Sequence, residues 1–141
     1  MSTSLTPEER REVFGDADPA AHEAEAAQRW GSTPAYRQSA ARTRDHTKDD
    51  WIRINAEAAD TTRRLGAAFT SGLAPSTPQA MDLAEEHRQH IGRWFYDCPT
   101  QMHVKLGEMY VADPRFTATY DAVAPGLAQW FHDAIEANAA R

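Results

Sequence analysis

Five pairs of residues repeat one arrangement: Thr6-Pro7, Asp18-Pro19, Thr33-Pro34, Thr77-Pro78 and Asp113-Pro114 each set a short oxygen-bearing side chain before a proline. At a helix N-cap that oxygen accepts an orphan backbone N–H, and proline at the first helical position has no N–H to lose. Ala124-Pro125 repeats the pattern without the oxygen, and Thr47-Lys48-Asp49-Asp50 is a threonine cap with acids in its first turn. Seven starts in 141 residues, with no sustained alternation of apolar and polar positions, predict an all-α domain.

The helices expected from these starts run from Pro7 to about Phe14, with Thr6 and Glu9 spaced as a capping box, and from Pro19 to Trp30. The next run from Pro34 to about Thr43, from Lys48 to about Ser71, from Pro78 onward, and from about Thr100 to Val111. A short helix follows from Pro114, and a last one from Pro125 turns Leu127, Phe131, Ala134, Ile135 and Asn138 inward and Gln129, His132 and Glu136 to water. Before Trp51 the large apolar residues past Met1 are only Leu5, Val13, Phe14, Trp30 and Tyr36. Ordering each residue costs roughly 1–2 kcal/mol of backbone entropy, so this segment has little to hold it. The expectation is one domain over residues 1–141, with residues 1–46 as mobile lid helices over a stable core at 47–141.

A formal net charge of −6 argues against a free-standing nucleic-acid binder, whose affinity rests on Lys and Arg meeting phosphate. No apolar run approaches the roughly 20 residues that span a bilayer, and MSTSLTPEER lacks the basic-then-apolar plan of a secretory signal. A single cysteine allows no internal disulfide and suits a reducing compartment. A cytoplasmic, monomeric protein that touches neither membrane nor nucleic acid is expected.

The chemistry concentrates between Asp82 and Tyr110, which hold three of the six histidines and the only cysteine. At helical period Ala84, His87, Ile91, Trp94, Phe95 and Cys98 fall along one side. After Pro99 a second helix puts Met102, Leu106, Met109 and Tyr110 on its own apolar side. Adaptable methionines and flat rings suit a large, mostly uncharged ligand, and they suit an ordinary core equally well. The wall residues expected of such a corner are His87, Ile91, Trp94, Cys98, Met102, Leu106 and Tyr110, with Phe14 and Trp30 closing over it. Glu86, His87 and His90 raise a metal site, but Glu86 and His90 are four apart, and no second Glu-x-x-His supplies the opposite wall of a carboxylate-bridged centre. Cys98 has no base or orienting partner at a spacing that marks thiol catalysis. No metal, cofactor or enzymatic activity is expected.

Long strings add a resemblance. LTPEERREVFGDADP, AYRQSAARTRDHTKDDW, MDLAEEHRQHIGRWFYDCPTQMH, LGEMYVADPRFTATYDAVAPGLA and DAIEANAAR together resemble the TipAS thiopeptide-recognition domain, nearly end to end. The resemblance implies a compact globin-like fold of about seven or eight helices that binds thiopeptide antibiotics in a cleft. It also implies an origin as the effector part of MerR-type transcription activators, or a free drug-sequestering form. Only the effector part is matched, so drug binding without DNA binding is expected; the alternative is the drug-sensor part of a MerR-type regulator. In the family a cysteine seven residues beyond the YDC cysteine captures a dehydroalanine of the drug. That position is Lys105 here. A cationic amine is a poor substitute for a thiolate, so capture is expected to be non-covalent, with Cys98 matching the other family cysteine.

Overall fold

The computed structural model describes residues 5–14, 28 and 31–141. Among them are seven helices and no strand: α1 (Pro7–Phe14), α2 (Pro34–Arg44), α3 (Lys48–Thr70), α4 (Pro78–Trp94), α5 (Thr100–Ala112), α6 (Pro114–Asp121) and α7 (Leu127–Ala140). The helix expected over Pro19 to Trp30, apart from Gln28, lies outside the described residues, as does Trp30 itself. No described helix is long and apolar enough to cross a membrane.

The caps act as their chemistry requires. Thr6 and Glu9 exchange reciprocal bonds at 3.0 and 3.1 Å, and Thr47 and Asp50 do the same at 3.0 and 3.1 Å. Thr33 accepts from the Tyr36 amide at 3.2 Å, Thr77 from Ala80 at 3.3 Å and Asp113 from Arg115 at 3.0 Å. The start lacking an oxygen behaves differently. The last helix begins at Leu127, not at Pro125, after Gly126 turns the chain through the left-handed region at φ 94°. Its missing cap comes from the preceding helix, where the Asp121 carboxylate accepts from the Ala128 amide at 3.0 Å.

A second correction concerns Cys98, which the helical period put on the face shared by His87 and Trp94. α4 ends at Trp94, and Cys98 lies in the irregular segment before α5. Pro99 disfavours helical geometry at the residue before it. The carbonyls freed near the end of α4 find side chains instead: Arg42 donates to Gly92 at 2.6 Å and His46 meets the Trp94 carbonyl at 2.7 Å.

The described chain divides into two compact units. The first comprises the residues up to Glu57 with Ile91–Asp97; the second comprises Ala58–His90 and Cys98–Arg141. In the first, Leu5, Trp51 and Ile54 are buried, with Val13, Phe14, Trp94 and Phe95 packed against them. In the second, Phe131, Leu127 and Ile135 of α7 are essentially inaccessible and pack with Leu65, Ala80, Ala84 and Tyr110. Leu127, Phe131, Ala134, Ile135 and Asn138 are buried as the periodicity predicts, whereas the His132 side chain, expected in water, is only 14% exposed because Asp133 and Glu136 hold its ring.

Candidate functional site

The second unit holds the greater part of the unusual chemistry. α4 and α5 each contribute one imidazole to its interior, and His87 Nδ1 lies 2.9 Å from His103 Nε2. The rings are stacked, with centroids 5.1 Å apart. Phe131 meets His87 edge-on at 4.9 Å and Tyr110 does so at 6.2 Å. Burial lowers the pKa of both imidazoles from 6.5, to about 3 for His87 and about 4 for His103, so both rings are neutral at pH 7. Tyr120 packs tilted on Tyr110 at 5.0 Å and edge-on to Phe131 at 5.3 Å, and burial raises its hydroxyl to about 12.

Beside this nest, Glu85 gathers three donors. Arg88 binds it at 2.8 Å through Nε, Asn138 at 3.0 Å and Gln89 at 3.0 Å. These bonds, Arg88 foremost, hold its carboxyl at about 2. Arg88 also donates to the Cys98 carbonyl at 2.8 Å, which fixes the segment entering α5. The Cys98 thiol is buried, and that burial pushes its pKa to about 11. At neutral pH that shift favours the protonated thiol over the nucleophilic thiolate. No local spacing marks Glu85 as the centre of such a cluster. Its neighbours are assembled by packing, since Asn138 lies 53 residues away.

The predicted wall residues separate by exposure. Cys98, Tyr110 and Ile91 are 4%, 7% and 9% exposed, and His103, not predicted, is 1% exposed. Met102 and Leu106 are half-buried on α5, flanking an exposed Lys105. In the first unit Trp94 is partly buried, its indole donating to Glu57 at 2.8 Å and its ring edge-on to His46 at 5.5 Å. Phe14 is partly buried and meets Trp51 edge-on at 5.1 Å.

Two further features of the second unit were not foreseen. A groove of about 620 Å³ is lined by Ala58, Ala59, Gly66 and Ala67 of α3 with Val123 and Ala124, and by Arg63, whose guanidinium is bound to Asp60. It offers shape and apolar area without reactive groups. On α7, the ligating atoms of His132, Asp133 and Glu136 lie within 4.8 Å of one another. The two ring nitrogens of His132 already meet the two carboxylates, at 3.0 and 3.1 Å.

The family model for the TipAS antibiotic-recognition domain matches residues 22–138. The HTH-type transcriptional activator TipA of Streptomyces coelicolor is 54% identical over 141 residues, all of this chain and 56% of the relative. The chain thus spans about half the length of the curated relatives it matches. Among solved structures, TipAS of Streptomyces lividans in complex with the thiopeptide antibiotic nosiheptide has a TM-score of 0.89 and 54% identity, covering 99% of this chain and 98% of that one. The antibiotic-binding domain of a TipA-class multidrug resistance transcriptional regulator has a TM-score of 0.60 and 53% identity, covering 64% of this chain and 97% of that one.

Proposed function

The chain belongs to the TipAS antibiotic-recognition domain family, and from that premise we propose that it binds and sequesters thiopeptide-type antibiotics without bonding to them. The observation that carries this reading is the end-to-end likeness to a chain solved with a thiopeptide bound. Two features support non-covalent capture. Lys105 stands, exposed, where the resemblance puts the attachment cysteine, and the Cys98 thiol is buried and held neutral. On the second unit, ligand contact falls to Met102 and Leu106 beside Lys105, with Cys98, His87 and Tyr110 shaping that surface from within. In the first unit, Trp94 and Phe14 offer rings for stacking on a heterocycle, and buried Ile91 belongs to the same unit. The role is binding without catalysis, in the cytoplasm, with the chain as a monomer.

Calorimetric titration with a dehydroalanine-bearing thiopeptide, followed by intact mass measurement under denaturing conditions, tests this. Saturable one-to-one binding with an unchanged protein mass is expected. Absence of binding overturns the function. A drug adduct that disappears in Cys98→Ser overturns the non-covalent mode.

A second reading rests on the relatives named as HTH-type activators, of which this chain matches 56%: the chain is the drug-sensing part of a transcription regulator. The coding sequence on either side of this segment, read for a DNA-binding domain, separates the two.

A further inference from the structure

The facing nitrogens of His87 and His103, 2.9 Å apart, can hold only one proton between them if both rings are neutral. One ring donates its inner N–H; the other accepts and carries its own proton on the outer nitrogen. His103 is buried and His87 partly so, both against the ring of Phe131, and polar nitrogens in that setting would be costly without this bond. With it, they tie α4 to α5 through a polar contact deep in the second unit.

We propose that the His87–His103 pair is an acid-operated latch between α4 and α5, closed while the two rings share one inner proton and opened when each inner nitrogen carries its own. The steps balance proton by proton. A first added proton goes to the outer nitrogen of the donor ring and leaves the shared bond in place, while putting one charge into an apolar nest. A second can go only to the inner nitrogen of the acceptor. Two N–H groups then face each other on two like-charged rings, and the contact is lost. The charged groups around the pair do not rescue it. His90, on α4, opposes charge on His87, and Arg88, also on α4, opposes charge on His103. Glu85 alone favours charge on His103, and its carboxylate is already bound by Arg88, Gln89 and Asn138. Tyr110 of α5 and Tyr120 of α6 bring neutral rings, Cys98 a neutral thiol, and α7 brings Phe131.

The sign follows from the direction of the shifts. Both imidazoles are lowered from 6.5, towards about 3 and about 4. The stability they contribute is therefore complete above about pH 6.5 and is lost as the pH falls below it, because the unfolded chain takes up two protons that the folded unit refuses. Between pH 6 and 5, above the range in which most carboxylates protonate, the pair should reduce the folding equilibrium constant by roughly fiftyfold, each proton contributing nearly tenfold.

Denaturant unfolding at several pH values, for the wild type and for His103→Met and His87→Leu, reads this directly. Each variant is expected to lose at least one proton's worth of the acid dependence, close to a tenfold smaller fall in the folding constant over that unit of pH. An unchanged acid dependence in both variants overturns the latch. Because either variant could be too unstable to measure, ring resonances of the wild type supply a second reading. The His87 and His103 imidazoles should remain neutral from pH 8 to 5 with one shared inner proton. Titration of either ring near 6.5 in the folded protein overturns the proposal.

Discussion

The carboxylate of Asp121, at the end of α6, accepts a hydrogen bond from the amide of Ala128 at 3.0 Å, so the last helix is capped by the helix before it. An N-cap oxygen normally belongs to the residue that opens the helix, and Gly126 has none to offer. Replacing a capping carboxylate by alanine costs about 1 kcal/mol, within a range of roughly 0.5–2. Asp121→Ala should therefore lower the unfolding free energy by about that amount. Asp121→Asn, which keeps an acceptor oxygen, should retain most of it. Equal losses in the two variants, measured by urea denaturation, would remove the cap from the account.

Gly66 and Val123 meet in the groove wall, where a Cβ on Gly66 would come within 2.8 Å of a Val123 methyl. In an exposed helix interior, alanine in place of glycine gains about 1 kcal/mol of propensity. Here the branched, stiff Val123 side chain must give way, and forced overpacking costs about 1–3 kcal/mol. Gly66→Ala is expected to destabilise by about 1 kcal/mol alone and to stabilise in a Val123→Ala background. A double-mutant cycle with no coupling between the two sites would show that Val123 turns away without cost.

Lys105 lies exposed on α5 between Met102 and Leu106. If the surface there is laid out as in the thiopeptide-capturing members, Lys105→Cys should install covalent attachment. An exposed thiol reaches the thiolate form far more readily than buried Cys98, whose pKa is about 11. Intact mass after incubation with a dehydroalanine-bearing thiopeptide should rise by one drug mass in Lys105→Cys. A variant that binds the drug and gains no mass would place the dehydroalanine elsewhere.

α1 is eight residues long and buries none of its own side chains completely. It is anchored by Phe14 on Trp51 and by the Asn55 amide on the Val13 carbonyl at 3.1 Å. Helices this short are marginal without packing, so exchange there should be fast relative to α4. Bound thiopeptide should slow amide exchange in α1 by more than the uniform factor that mass action supplies, about a hundredfold at a hundred times the dissociation constant. If α1 is already as protected as α4 without drug, it is preformed and takes no part in capture.

The sequence by itself determined where the helices begin. A side-chain oxygen, a proline and an acid within one turn settle an N-terminus locally, and Thr6, Thr33, Thr47, Thr77 and Asp113 each cap as their spacing predicts. It also determined the inner face of α7, because burial of Phe131, Ile135 and Asn138 follows the period of a single helix. What it could not determine is which faces meet. His87 and His103 are 16 residues apart, and nothing in the spacing of either distinguishes a shared proton from a pair of surface imidazoles. Tyr110 is packed among buried residues drawn from several helices, and Arg88, Gln89 and Asn138 converge on Glu85 although Asn138 is 53 residues away. The start of α7 moved to Leu127 because its cap is Asp121, six residues upstream and in another helix. Local rules reach about one helical turn; beyond that, the crossing of packed helices decides which polar groups find partners and which chemistry results.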